Sequence, residues 1–290
     1  MTPAPDATTR SPFARAAAPA LAAFGVLVWL IGLMGIIDLT VPLVPLEDFY
    51  DAYLIETSWG LLYTVLLGVP TAVLAFRPQH DAAAQQILAT AAALALAAAA
   101  APELGHLIPA TLAVGLVAAI RALHGARTLP PSPQRTLTLR DLPAAVVVLA
   151  GLLPAIAIAS QGIAAFRDPA VPSDVTQNLD HWPAHAAFAL ATFLVAALAV
   201  LRTRGAWLPA SSAALAAGWF GATSIAFPDH DGSLGTTGGW LAIAWGVALM
   251  ATVLARRTAT APVPTPAVGG AAPQSEPQSE PQPEPGPAQG

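Results

Sequence analysis

Eight apolar stretches divide the chain, at about 17–38, 58–76, 83–101, 104–123, 143–165, 182–202, 206–227 and 238–255. Each has close to the ~20 residues that an α-helix needs to cross about 30 Å of hydrocarbon. In lipid the backbone must satisfy its own hydrogen bonds, so long apolar runs become helices. The pattern therefore predicts an all-α, polytopic membrane bundle of about eight transmembrane helices. The third stretch is nearly all alanine from Ala89 to Ala101. Alanine is only mildly apolar, so this helix is expected inside the bundle rather than against lipid.

The polar positions between the stretches are sorted by sign. Arg77, then Arg121, Arg127, Arg135 and Arg140, then Arg202 and Arg204, then Arg256 and Arg257 fall in alternate gaps, with Arg10 and Arg15 before the first stretch. Arg167 is the exception. The other gaps hold Asp38, Glu47, Asp48, Asp51, Glu56, Glu103, Asp168, Asp174, Asp180, Asp229 and Asp231. Under the positive-inside rule this predicts both termini in the cytoplasm of a cell-membrane protein, with the acids outside.

The first outer gap has its own period. Leu46, Phe49, Tyr50, Tyr53 and Leu54 share one helical face, with Glu47, Asp48 and Asp51 opposite. This predicts a short helix lying on the outer membrane surface. Residues 1–16 read as a cytoplasmic N-terminal segment and 17–257 as the membrane domain. The stretch 125–141, with its stiff Leu129–Pro133 run, splits that domain into two four-helix halves. From 258 to 290 the chain is rich in Pro, Gln and Glu, with Gln-Ser-Glu-Pro twice, and reads as a disordered cytoplasmic tail. Pro70 and Pro154 fall inside helices and are expected to kink them. Small residues four apart, Ala214 with Gly218 and Ala217 with Gly221, permit close helix approach.

Composition agrees with the pattern. The chain is 55% hydrophobic and 10% charged, against about a quarter charged in soluble domains. It has no cysteine, and all twelve basic residues are arginine. Thiol chemistry, thiolate metal sites and lysine Schiff bases are excluded. The arginines are too few per loop for a nucleic-acid site. Walker, nucleophile-elbow, His-Glu-x-x-His and dinucleotide fingerprints are absent.

The even-numbered stretches share a loose signature, a Trp or His at the outer end and an arginine at the inner one: Glu56–Trp59 with Arg77, Glu103–His106 with Arg121, Trp182–His185 with Arg202, Thr237–Trp240 with Arg256. An interfacial aromatic belt with inner anchors explains this, and duplicated hairpins are the sharper reading. Glu56 falls beside the apolar face, as a dipole-stabilised first-turn acid or a ligand-binding carboxylate would. Asp180 suits an N-cap. His181 and His185, four apart, share one helical face, as two ligands of one metal would. His106, and His230 in the last outer gap, face the same side. The metal candidates are therefore His181, His185, Asp180, His230 and His106, expected to converge where the sixth and eighth helices begin. The catalytic candidates are Glu56, His185 and Asp180. A bis-histidine haem through His106 and His185 lacks a second inner pair, and no cofactor is strongly implied.

The leading functional expectation is a non-catalytic binding, transport or scaffold role, with a polar acidic and histidine cluster on the outer face. The alternative is a membrane-embedded enzyme acting on a lipid or isoprenoid at the outer boundary, with metal assistance. The expected partners are the lipid bilayer and a cytoplasmic protein engaging the tail, with no nucleic acid.

Overall fold

The computed structural model describes residues 12–44, 52–125, 130, 138–172, 174–201 and 205–260. Residues 45–51, most of the expected surface helix, lie outside these, as do Arg10, Arg127, Arg135, Arg202, Arg204 and the tail beyond 260. The described chain is an all-α bundle.

The first span is broken where the pattern predicted a continuous helix. α1 (Pro12–Leu27) runs into a π-helical turn at Val28–Gly32, and α2 (Gly35–Thr40) follows. Met34 between them is left-handed, with φ 54°. The two parts are bent by 57°.

The second span begins at Tyr53, earlier than expected. α3 (Tyr53–Gly60) passes through a π stretch, Leu61–Gly68, into α4 (Val69–Phe76). Tyr53 and Leu54, expected on the surface helix, form its first turn and are buried. Pro70 has no N–H to offer the Leu66 carbonyl. The next helix, α5 (Asp81–Ala100), supplies substitutes: Gln86 Nε2 and Thr90 Oγ1 each donate to Leu66 O at 3.4 Å. Such side-chain rescue is what lets prolines persist in apolar helices.

α5 starts on His80, whose Nδ1 accepts from the Ala83 N–H at 3.1 Å. Its most apolar window is 67% buried, as its alanine content predicted. α6 (Leu107–His124) ends on Gly125 in the left-handed conformation, φ 70°, a standard C-terminal stop. The fifth span is interrupted at Gly151, between α7 (Leu142–Ala150) and α8 (Leu152–Arg167). Pro154 accounts for the break, because its ring clashes with the carbonyl four residues back, that of Ala150. A hairpin, β1 (Val175–Thr176) and β2 (Leu179–Asp180), leads into α9 (His181–Leu201), α10 (Trp207–Ala226) and α11 (Gly235–Thr260).

Among the described residues six helical segments are long and apolar enough to cross a membrane, or seven if the bent first pair is one span. α10 has the length, 20 residues, but not the hydropathy. It runs antiparallel along α11. A Cβ on Gly221 would stand 2.5 Å from the Gly239 carbonyl, and one on Gly246 2.8 Å from that of Ala214. Of the expected small-residue pairs, Ala214 and Gly221 lie in this seam, while Gly218 has open space.

The packing is paired. α1–α2 lies against α3–α4, α1 against α6, α4 against α5, and α5 against α6. Likewise α7–α8 lies against α9, α7 against α11, α9 against α10, and α10 against α11. The two sets meet through α3 on α9, α5 on α9 and α10 on α3. The outside of the bundle is apolar, with Phe24, Ile108, Leu153, Leu241 and Val247 exposed.

Candidate functional site

Four chain segments come together at one end of the bundle: the first turn of α3, the α5–α6 turn, the start of α9, and the α10–α11 turn. At the opposite end lie the ion pairs Arg121–Asp81, 2.9 Å, and Arg256–Asp141, 2.8 Å. Arg167 is at the site's end, where its guanidinium donates to the Ala100 carbonyl.

Trp59 is the hub. It is fully buried, and its Nε1 donates to Leu33 O at 2.6 Å, taking up a carbonyl freed by the α1–α2 break. His181 stacks on its ring at 4.3 Å between centroids, Tyr63 tilts against it at 4.7 Å, and His106 meets it edge-on at 6.1 Å. Trp59 and Trp182 are thus core residues rather than members of an interfacial belt. Trp240, 61% exposed, suits the belt.

Each histidine has its own partner. His106 Nε2 lies 2.8 Å from Asp180 O and 2.9 Å from Glu103 Oε2. Both are acceptors, so this nitrogen carries the proton. His181 Nδ1 is 2.9 Å from Asp174 Oδ2. His185 Nδ1 is 3.0 Å from Ser58 Oγ. Ser58 Oγ also lies 2.7 Å from Ile55 O, so its hydroxyl can give its proton to the carbonyl or to the imidazole.

Asp180 is the N-cap of α9, accepting from the Trp182 N–H at 2.8 Å, as the sequence suggested. The hairpin ahead of it turns through Gln177 and Asn178, both with positive φ, which a two-residue type I′ loop requires. That turn returns Asp174 over His181, whose N–H donates to Asp174 O at 2.8 Å. Nothing in the hydrophobic pattern announced the hairpin, and Asp174 was only one outer acid among many.

Asp38, on α2, is buried and held against α3. A Cβ on Gly60 would stand 2.7 Å from the Asp38 carbonyl carbon. Glu56 and Asp174 are the acids whose fields reach it. Glu56 occupies the first turn of α3, the dipole-favoured place, and is buried there.

The α10–α11 turn does converge on α9. A Cβ on Gly232 would stand 3.3 Å from His185 Cε1 and 3.4 Å from Ile55 Cγ1. His230 instead faces Tyr53, 5.5 Å between ring centroids, and Asp229 and Asp231 are exposed. Among the described residues no group of three His, Cys, Asp or Glu could hold a metal ion. The helical register that joined His181 to His185 on one face is real, but their neighbours on α3 differ.

Several buried polar atoms here find no hydrogen-bond partner among the described residues: Asp38 Oδ2, Tyr63 Oη, His106 Nδ1, both ring nitrogens of His181, His185 Nε2, and the Glu103 and Asp174 oxygens that form the ion-pair contacts above. Native interiors rarely leave such atoms unmatched, so a group of them calls for a reason. A separate apolar groove of about 510 Å³ runs between α7–α8, α9, α10 and α11, past Phe188, Phe193, Phe220 and Trp245. Phe220 divides it from His185, 5.6 Å away between centroids. Comparison with known protein families, curated proteins and solved structures finds no match.

Proposed function

We propose that this is a cell-membrane protein of the binding or transport kind, with eight spans, both termini cytoplasmic, and a ligand site at the outer junction of two four-helix halves. The observation that carries this is the paired packing. Each contact within the first four spans has a counterpart within the last four, and α3 and α9 occupy equivalent central places. Ser58 and His185, 127 positions apart, meet at that centre. Both central helices begin at the same end, so the halves are parallel. Parallel repeats about an axis along the membrane normal are a recurrent transporter plan, with the substrate site between the repeats.

α10 joins the count because it lies antiparallel along α11, which is a span by length and hydropathy. Its small-residue face is covered by α11, so it needs less apolar surface of its own. The site is divided between the halves: Asp38, Glu56 and Glu103 come from the first, and Asp174, His181 and His185 from the second. Asp174 and Glu103 are partly exposed and offer an entrance from outside. The acidic tail repeats would engage a cytoplasmic partner.

The chain has no cysteine, so single cysteines report accessibility directly. In intact cells, Asp174→Cys and Glu103→Cys, at the partly exposed entrance, should react with a membrane-impermeant maleimide, while Gln79→Cys should react only in inverted vesicles. Silence at 174 and 103 from both sides would mean a sealed junction and favour a scaffold role. Labelling of Gln79→Cys from outside would overturn the orientation.

A further inference from the structure

The groove between α7–α8, α9, α10 and α11 follows from the break in the fifth span. On the inner side of Gly151, α7 lies against α11; past the break, α8 turns onto α9. The fifth span thus parts from α11 midway, and a space of about 510 Å³ is left between them. Trp245 marks the point of parting. Its Nε1 donates to Val147 O at 2.7 Å, and its ring stands 2.9 Å from where a Cβ on Gly151 would be.

The lining decides what the space can hold. Phe188 and Phe193 of α9 and Phe220 of α10 make the floor, with Ile158 and Leu241 on the flanks. Thr192 and Trp245 are the lining side chains with a polar atom, and both give their protons to carbonyls: Thr192 Oγ1 to Phe188 O at 2.8 Å, Trp245 Nε1 to Val147 O. No charged residue lines it. Such a surface offers nothing to an ion or a polar solute. Water does not fill it either, since an apolar cavity of even about 150 Å³ stays dry and takes up a hydrocarbon. The volume falls in the range of ordinary ligand pockets, about 300–1,000 Å³.

Two observations make that hydrocarbon a lipid chain. The groove is continuous with the apolar outside of the bundle: Leu241 belongs to both and is 66% exposed, and Pro154 on the opposite lip is exposed as well. A chain can therefore enter sideways from the bilayer. The depth is that of one leaflet. Gly238, near the start of α11, and Ala248 are ten residues apart, a rise of about 15 Å, or half of the ~30 Å of hydrocarbon.

We infer that this groove is a lipid-binding site that holds a hydrocarbon chain from the leaflet on the junction's side, against Phe188 and Phe220. It selects the chain and not the head group, because no free polar side chain lines it. Phe220 stands between the groove and His185, so the site does not depend on the junction taking a ligand.

The test uses the full-length protein in phosphatidylcholine liposomes with a trace of phosphatidylcholine bearing a photoactivated diazirine midway along one acyl chain. After illumination, tandem mass spectrometry locates the labelled residues. Label is expected on Phe188 and Phe220, which are buried beyond the reach of lipid that only surrounds the bundle, and on Leu153, which is exposed on its outside. Label on Leu153 and other outward residues alone would overturn the inference. Ala189→Phe and Ala244→Phe each add a ring to the lining and should remove the label from Phe220 while leaving it on Leu153. Ala244 is exposed, so its variant serves even if Ala189→Phe fails to fold. Full labelling of Phe220 in folded Ala244→Phe would also overturn the inference. The same labelled chain on phosphatidylglycerol should give the same pattern, and floor labelling with only one head group would refute selection by the chain. Label on the floor with silent cysteines at 174 and 103 would discard the junction site and keep this one.

Discussion

Gly60 offers the sharpest test of how Asp38 is held. A Cβ built there would stand 2.2 Å from Leu39 N, 2.5 Å from Leu39 Cα and 2.7 Å from the Asp38 carbonyl carbon. These are backbone atoms and cannot rotate aside, so Gly60→Ala must push α2 off α3. Overpacking of a tight interior costs about 1–3 kcal/mol, and an unyielding backbone belongs at the upper end. Alanine returns up to about 1 kcal/mol as a better helix former. The expected net loss is about 2 kcal/mol, or a Tm lower by roughly 4–8 °C for a chain of this size. Gly115→Ala and Gly218→Ala are the controls, because nothing lies within 4 Å of either added Cβ. They should match or slightly exceed the wild type. Apparent Tm values from circular dichroism in one detergent, at one scan rate, suffice for the ranking. If Gly60→Ala were as stable as Gly115→Ala, the close seating of α2 on α3 would be refuted.

Three further outcomes follow from the packing. Trp245→Phe loses the Nε1 bond to Val147 O, 2.7 Å, at the Gly151 break; the cost should be near 1 kcal/mol, read as a modest fall in Tm. Arg256→Gln removes the 2.8 Å partner of buried Asp141, and Asp81→Asn removes the 2.9 Å partner of buried Arg121. Denaturation should show a loss of up to about 3–5 kcal/mol for each, since each leaves a buried charge behind. Truncation after Thr260 removes a segment with almost no apolar content. Membrane insertion and Tm should stay unchanged, and a marked loss of folded protein would mean that the tail docks on the bundle.

The helices were legible in the sequence because apolar length and helix formation are nearly the same statement in lipid. Pro154 marked its break, and Asp180 declared the start of α9. The burial of α5 could be read from its alanines. What the pattern could not give was lateral packing. Trp59 and Trp240 are alike in a hydropathy plot, yet one is the centre of the bundle and the other faces outward. His181 and His185 share a helical face, but whether they share a partner depends on which α3 residue each meets. The break at Met34 carries no proline, and Gly35 alone resembles any packing glycine. The hairpin was hidden because Asp174 through Asp180 is too short to show a strand period.

The break in the first span explains how an acid comes to be inside at all. A straight helix begun near Ala16 would carry Asp38 roughly 33 Å along its axis, past about 30 Å of hydrocarbon and into water. The 57° bend instead lays α2 across α3 and brings Asp38 against Gly60. The bend requires a left-handed methionine, a strain of about 1–3 kcal/mol, and frees carbonyls at membrane depth. Trp59 Nε1 takes Leu33 O at 2.6 Å and Trp219 Nε1 takes Leu39 O at 3.1 Å. At about 0.6–2 kcal/mol each in an apolar setting, the two bonds offset most of that strain. One comes from the first half of the chain and one from the second. The break therefore holds only when both halves are docked, and Asp38 reaches the junction only as the junction forms. The acid is thus positioned by the assembled bundle, through the bend and the two tryptophans, and not by the reach of its own helix.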